Sequence, residues 1–131
     1  MITILVDHNI EGQAALLWDT ITEEGWSEFF SLRFVKFDQV GLSYTSNDRE
    51  VWLFAQKHKM VMLTANRRMR GKDNLEQVIR DENTEQSLPV FTIGNVKRIF
   101  EKAYRDQCIV RLLEIIEELD NFLGTGRIFI P

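Results

Sequence analysis

The stretch Met60-Val61-Met62-Leu63-Thr64-Ala65-Asn66-Arg67-Arg68-Met69-Arg70-Gly71-Lys72 decides the fold. Its apolar start breaks abruptly at Thr64, Ala65 and Asn66 and continues as a basic segment containing a glycine. A strand buried on both faces reads as such a continuous apolar run, and in a parallel sheet it delivers its polar residues to one edge. The N-terminus repeats the pattern: Ile2 to Val6 is apolar, and Asp7, His8 and Asn9 follow before a helical pattern begins. In an open α/β sheet, ligands bind outside the carboxyl ends of the strands. Two such ends, as neighbours, would line one crevice.

Working outward, Ile10, Ala14, Leu17 and Ile21 recur on one helical face, and Glu24 and Gly25 mark its end. Asn9 is read as the N-cap of this helix. Trp26 to Phe30 is an aromatic connection, and Leu32, Phe34, Val35 and Phe37 suit a second strand followed by a loop over Gln39 to Thr45. Asn47 with Glu50 forms a capping-box pattern opening a helix whose inward stripe is Val51, Phe54, Ala55 and His58. Beyond the basic segment, Asp73 with Glu76 repeats that pattern ahead of Leu75, Val78 and Ile79, and Asp81 to Ser87 reads as a polar loop. Pro89 to Ile93 reads as a fourth strand. Gly94 and Asn95 turn the chain into a helix with Val96, Ile99, Phe100 and Ala103 facing inward. The longest helix carries Ile109, Leu112, Leu113, Ile116 and Leu123 on one face and an acidic opposite face, Gly124 stops it, and Arg127 to Ile130 forms a short fifth strand. This alternation predicts a three-layer α/β/α sandwich around a mainly parallel sheet, in one domain spanning residues 1–131. Right-handed crossovers put Asp7 and Asn66 at the same sheet edge.

The totals narrow the function classes. A chain of 131 residues can bury roughly two thirds of the surface its unfolded form exposes, so it needs no covalent staple. The single cysteine, Cys108, lies among apolar helical residues and suits a reducing compartment. No run approaches the about 20 apolar residues of a membrane span, and the expected setting is cytoplasmic with no membrane partner. With 20 acidic against 16 basic residues the net charge is −4, which argues against broad adhesion to nucleic acid but leaves room for a local basic patch.

Taken together, Ile4-Leu5-Val6-Asp7-His8-Asn9, then Asn47-Asp48-Arg49-Glu50 opening a helix, then Val61-Met62-Leu63-Thr64-Ala65-Asn66 ending a strand resemble the PIN-like nuclease domains, in the compact branch found in bacterial toxin–antitoxin neighbourhoods. The resemblance covers residues 1–94, and the segment from Asn95 to Pro131 is a C-terminal extension outside it. It implies a parallel α/β fold whose strand-end acids hold Mg²⁺ or Mn²⁺ for RNA hydrolysis. Asp7 matches the first acidic position and Asp48 the acid opening the helix before the central strand. Where the family usually carries a further aspartate, this chain has Asn66.

Phosphodiester hydrolysis assisted by magnesium needs hard oxygen ligands. Asp7 and Asp48 are the leading candidates, Glu50 and Asp73 are the acids able to complete the set, and Asn66 offers only a neutral carbonyl oxygen. Acids in a first helical turn are also favoured by the helix dipole, so Asp48 and Glu50 have an equally good reading as helix-end residues. His8, adjacent to Asp7 on a strand end, is expected on the opposite face and at the surface, and His58 at a helix C-terminus. Asn9, Thr64, Arg67, Arg68, Arg70 and Lys72 are the candidate substrate contacts, because arginine forks bind phosphate bidentately and Gly71 lets backbone approach a ligand. The expectation is a metal-dependent ribonuclease weakened at Asn66. The alternatives are a degenerate module of the same fold that binds nucleic acid or a cognate protein, and a homodimer formed through the long helix.

Overall fold

The computed structural model describes residues 1–67, 71 and 73–131. Its centre is a five-stranded sheet in the order β2-β1-β3-β4-β5, comprising β1 (Ile2–Val6), β2 (Leu32–Val35), β3 (Met60–Thr64), β4 (Val90–Ile93) and β5 (Arg127–Ile130). Every neighbouring pair is parallel, with Ile4 opposite Phe34 on one side and Val61 on the other. The helices are α1 (Glu11–Glu23), α2 (Trp26–Phe29), α3 (Asp48–Lys57), α4 (Leu75–Glu82) and α5 (Lys102–Glu117).

Side-chain alternation along the strands sorts these helices into two layers. Ile4, Val6, Val61, Leu63, Phe91 and Ile93 point to one face and pack with Ala14, Leu17 and Ile21 of α1 and with Cys108, Ile109, Leu112 and Ile116 of α5. Leu5, Met60, Met62 and Val90 point to the other and pack with Val51, Trp52 and Ala55 of α3 and with Leu75 and Val78 of α4. The predicted sandwich is therefore present, with a sheet parallel throughout. Cys108 is fully buried, and that burial pushes its thiol up to about 11, so it is an inert core residue. No helix among the described residues is long and apolar enough to cross a membrane.

Several local expectations are corrected. The chain after β4 does not enter an α-helix at Val96: a 3₁₀ segment spans Val96–Phe100, Glu101 is extended at φ −83° and ψ 120°, and Phe100 is 69% exposed rather than inward. Helix α5 ends at Glu117, so Leu123 lies beyond it, after a further 3₁₀ turn. Asp81 and Glu82 belong to the last turn of α4 instead of a loop. His58 is the exposed C-cap of α3, its ring 4.3 Å from that of Phe54, and the inward place goes to Trp52. Asp73 does not cap α4. It sits at φ 57°, and Asn74 takes the cap by accepting from the Gln77 amide at 3.0 Å.

The predicted capping box at α3 is present: the Glu50 amide donates to Asn47 Oδ1 at 2.9 Å and the Asn47 amide to Glu50 Oε1 at 3.2 Å. This cap fixes where the helix begins and hence where Asp48 stands. Asn47→Ala should lower the unfolding free energy by about 1 kcal/mol in urea titrations, while Asn47→Ser should stay close to the parent. Equal stability of Asn47→Ala and the parent would show that the helix start is held by other contacts.

Candidate metal-binding edge

The order of the strands reverses direction between β1 and β3, since one connection from β1 leads outward to β2 and the rest of the chain builds on the other side. That reversal leaves a crevice above the carboxyl ends of these two strands, the usual ligand position in open α/β sheets. The crevice is a cavity of about 430 Å³ whose lining includes Asp7, His8, Asn9, Asp48, Thr64 and Asn66. The two strand-end patterns of the sequence thus meet, and the start of α3 leans over them.

A chain of hydrogen bonds connects these residues. The Thr64 hydroxyl donates to Asp7 Oδ2 at 2.7 Å and accepts from the Asn66 amide at 2.9 Å. Asn66 Nδ2 donates to Asp48 Oδ2 at 3.1 Å. The other Asp7 oxygen accepts from the Asn9 amide at 3.1 Å, so Asp7 caps the 3₁₀ turn His8–Ile10. This corrects the expected N-cap role of Asn9, whose own side chain is exposed. The same turn explains His8. Strand alternation stops at Val6, and the imidazole swings onto the cavity wall, 5.3 Å from the rings of both Phe37 and Tyr44. Its Nδ1 is buried without a hydrogen bond, 3.6 Å from Asp7 Oδ1. It is half-buried and on the same side as Asp7, contrary to the surface position expected.

The remaining acids go elsewhere. Glu50 is used by the α3 cap. Asp73 is held by Arg49 Nε at 2.8 Å, and the same guanidinium binds Asp81 and Glu82 at 2.8 Å each. Hydrogen bonds to Asp73 first and Asp81 second hold the Arg49 guanidinium well above its usual range, and the bond from Arg49 holds the Asp81 carboxyl below its own. Asp73 is therefore part of a clasp between α3 and α4 and is not brought into the cavity lining. Of the basic candidates, Arg67 is exposed just past Asn66. Arg68, Arg70 and Lys72 lie outside the described residues.

One contributor escaped the sequence reading. The Arg127 side chain, at the start of β5, is only 7% exposed and donates through Nη1 to the Asn66 carbonyl at 2.7 Å. A charged residue opening the strand Arg127-Ile128-Phe129-Ile130 was the available signal.

The donor set suits a hard, hydrated cation. Asp7 and Asp48 supply two carboxylates to the cavity lining, and no lysine or arginine among the described residues joins them there. A dehydrated multi-carboxylate cage does not fit, because no group of three histidine, cysteine or acidic side chains among the described residues converges. Magnesium keeps several waters in such sites. The chain matches no protein-family model, no curated protein and no solved structure.

The amide at position 66 donates to Asp48 without adding a charge to the edge. Asn66→Asp would set a carboxylate at about the 3.1 Å distance now spanned by the hydrogen bond to Asp48. Like charges so close raise a carboxyl pKa above its unfolded value, which lowers stability at neutral pH and restores it as pH falls and one proton is taken up. The variant should melt below the parent at pH 7, regain the difference toward pH 5 (roughly the range of carboxyl titration), and regain it also with millimolar Mn²⁺ at pH 7. Parent-like melting without metal at pH 7 would mean the two side chains do not face each other.

Proposed function

We propose that this chain is a divalent-metal-dependent ribonuclease of the PIN-like type, with activity limited by the amide at position 66. The observation that supports this reading best is that Asp7 and Asp48, from distant parts of the chain, line the same cavity at the strand-order reversal. Asp7 and Asp48 would hold Mg²⁺ or Mn²⁺. When bound, the ion orients water and offsets the charge that develops on a phosphate undergoing displacement. Thr64 fixes the Asp7 carboxylate through its 2.7 Å hydrogen bond, so that acid is preset rather than ordered by the ligand. Asn66 holds Asp48 in the same way but adds no negative charge. The two carboxylates of the described lining favour a cation between them and an approaching phosphodiester. Arg67, exposed just past Asn66, and Arg68, next in sequence, are the candidate phosphate contacts.

A second reading is a degenerate module of the same fold that binds RNA or a protein partner without cleaving. The Asn66 to Asp48 hydrogen bond favours it, because an amide satisfies the acid without any metal.

Cleavage of a fluorescent RNA panel under Mn²⁺ titration separates the two. For the nuclease, Asp7→Ala abolishes cleavage and Asn66→Asp raises both cleavage and metal affinity. For the binding module, Asn66→Asp leaves cleavage undetectable and weakens RNA binding, since it adds negative charge where phosphate approaches. The double variant Arg67→Ala, Arg68→Ala should flatten the salt dependence of RNA binding by about 1.4 in log–log slope, at about 0.7 per lost single-strand contact. An unchanged slope would remove RNA from the partner list.

A further inference from the structure

The C-terminal strand contributes a buried cation that the proposed chemistry does not use. Arg127 Nε donates to Glu76 Oε1 at 2.6 Å, and Nη1 donates to Thr92 Oγ1 at 2.6 Å and to the Asn66 carbonyl at 2.7 Å. Its Nη2 is buried with no hydrogen-bond partner among the described residues. Burying a guanidinium carries a desolvation cost that one ion pair seldom outweighs, and an apolar residue would serve the packing at this position at least as well. What an apolar residue cannot do is hold the carbonyl of Asn66. The backbone amide of Asn66 is already bound to Thr64 Oγ1 at 2.9 Å. With its amide on Thr64 and its carbonyl on Arg127, residue 66 is fixed at both peptide groups, and its side chain is thereby aimed at Asp48. Thr92 stands opposite Thr64 in the sheet, so the arginine and the acidic edge are linked across β4 and β3 by adjacent threonines.

We propose that Arg127 is a positioning residue for the edge formed by Asp7, Asp48 and Asn66, and that the C-terminal segment is thereby an integral part of that site rather than an appendage to it. The proposal rests on the reading of that edge as an ion-binding site. Its structural half, the control of Asn66 by Arg127, can be read separately.

The experiment uses the full chain and its variants Arg127→Met, Arg127→Lys and Glu76→Gln. Two-dimensional nitrogen–proton spectra report the Asn66 side-chain amide, and paramagnetic broadening by Mn²⁺ reports affinity at the edge. Arg127→Met should shift the Asn66 side-chain signals and weaken Mn²⁺ binding by less than the roughly 10-fold that losing a direct partner of a metal ligand causes, since Arg127 acts on Asp48 only through Asn66. Arg127→Lys, which retains a donor, should recover part of both. Glu76→Gln, which removes charge from the α4 contact but keeps an acceptor, should leave both as in the parent. If Arg127→Met folds and changes neither readout, the proposal is overturned. It is also overturned if Glu76→Gln changes them as much, because the arginine would then act through the seating of α4. Should Arg127→Met fail to fold, Arg127→Lys decides: shifted Asn66 signals at parent-like melting temperature support the proposal, and unshifted ones overturn it. If the parent chain binds no Mn²⁺, the ion-binding reading fails on its own, and unshifted Asn66 signals in Arg127→Met would sink the positioning claim independently.

Discussion

The ladder between β1 and β3 is the constraint on which the site depends. Its last rung, the Asp7 amide donating to the Leu63 carbonyl at 2.9 Å, lies at the point where apolar residues give way to the polar edge on both strands. A slip of one residue in a strand would exchange the faces on which its side chains lie, so the burial of Leu5 and Met62 on one side and Ile4, Val6 and Leu63 on the other locks the register. The same lock sets Asp7 within reach of Thr64. The geometry of the polar edge is thus inherited from the packing of aliphatic side chains below it.

Above that ladder the edge is held in balance between charge and hydrogen bonding. Each of the two acids has a polar partner supplied by β3 or the residues just beyond it, the hydroxyl of Thr64 for Asp7 and the amide of Asn66 for Asp48. Such partners stabilise an ionised carboxylate without neutralising it. Both carboxylates are therefore held in place by neutral donors of β3 and the segment just after it, rather than left to find their positions in solvent. A carboxylate in place of the amide would replace a donor with a second acceptor facing Asp48.

What could be read in the sequence follows the range of the interactions involved. The strands and their order of appearance were legible because Ile2 to Val6 and Met60 to Leu63 are apolar runs ending in sharp polar breaks, and the α3 cap was legible because Asn47 and Glu50 satisfy each other three residues apart. Where two neighbouring residues could play one role, sequence alone could not choose. Asp73 and Asn74 both suit a helix cap, and the choice fell to Asn74 because Asp73 adopts a positive φ and answers to Arg49. The cap expected at Asn9 passed to Asp7 through a 3₁₀ turn, which also carried His8 to the cavity against the expectation from strand alternation. Arg127 was invisible for a different reason: its partner Asn66 is 61 residues away, and no local pattern encodes such a pairing.

The two layers flanking the sheet are unequal. The buried cluster beneath α1 and α5 is the larger, and the one beneath α3 and α4 is the smaller among the described residues. Cooperative subunits of a fold open independently when their apolar contacts are fewer, and they do so without melting the rest. Asp48 rides on the lighter layer, whereas Asp7 is anchored by β1 in the middle of the sheet. A partial opening of α3 and α4 would therefore separate the two acids while the heavier layer stayed native. Amide hydrogen exchange would register it as a group of α3 and α4 protons exchanging together, ahead of those in α5, and the assembled site would exist only for the fraction of time that group stays closed.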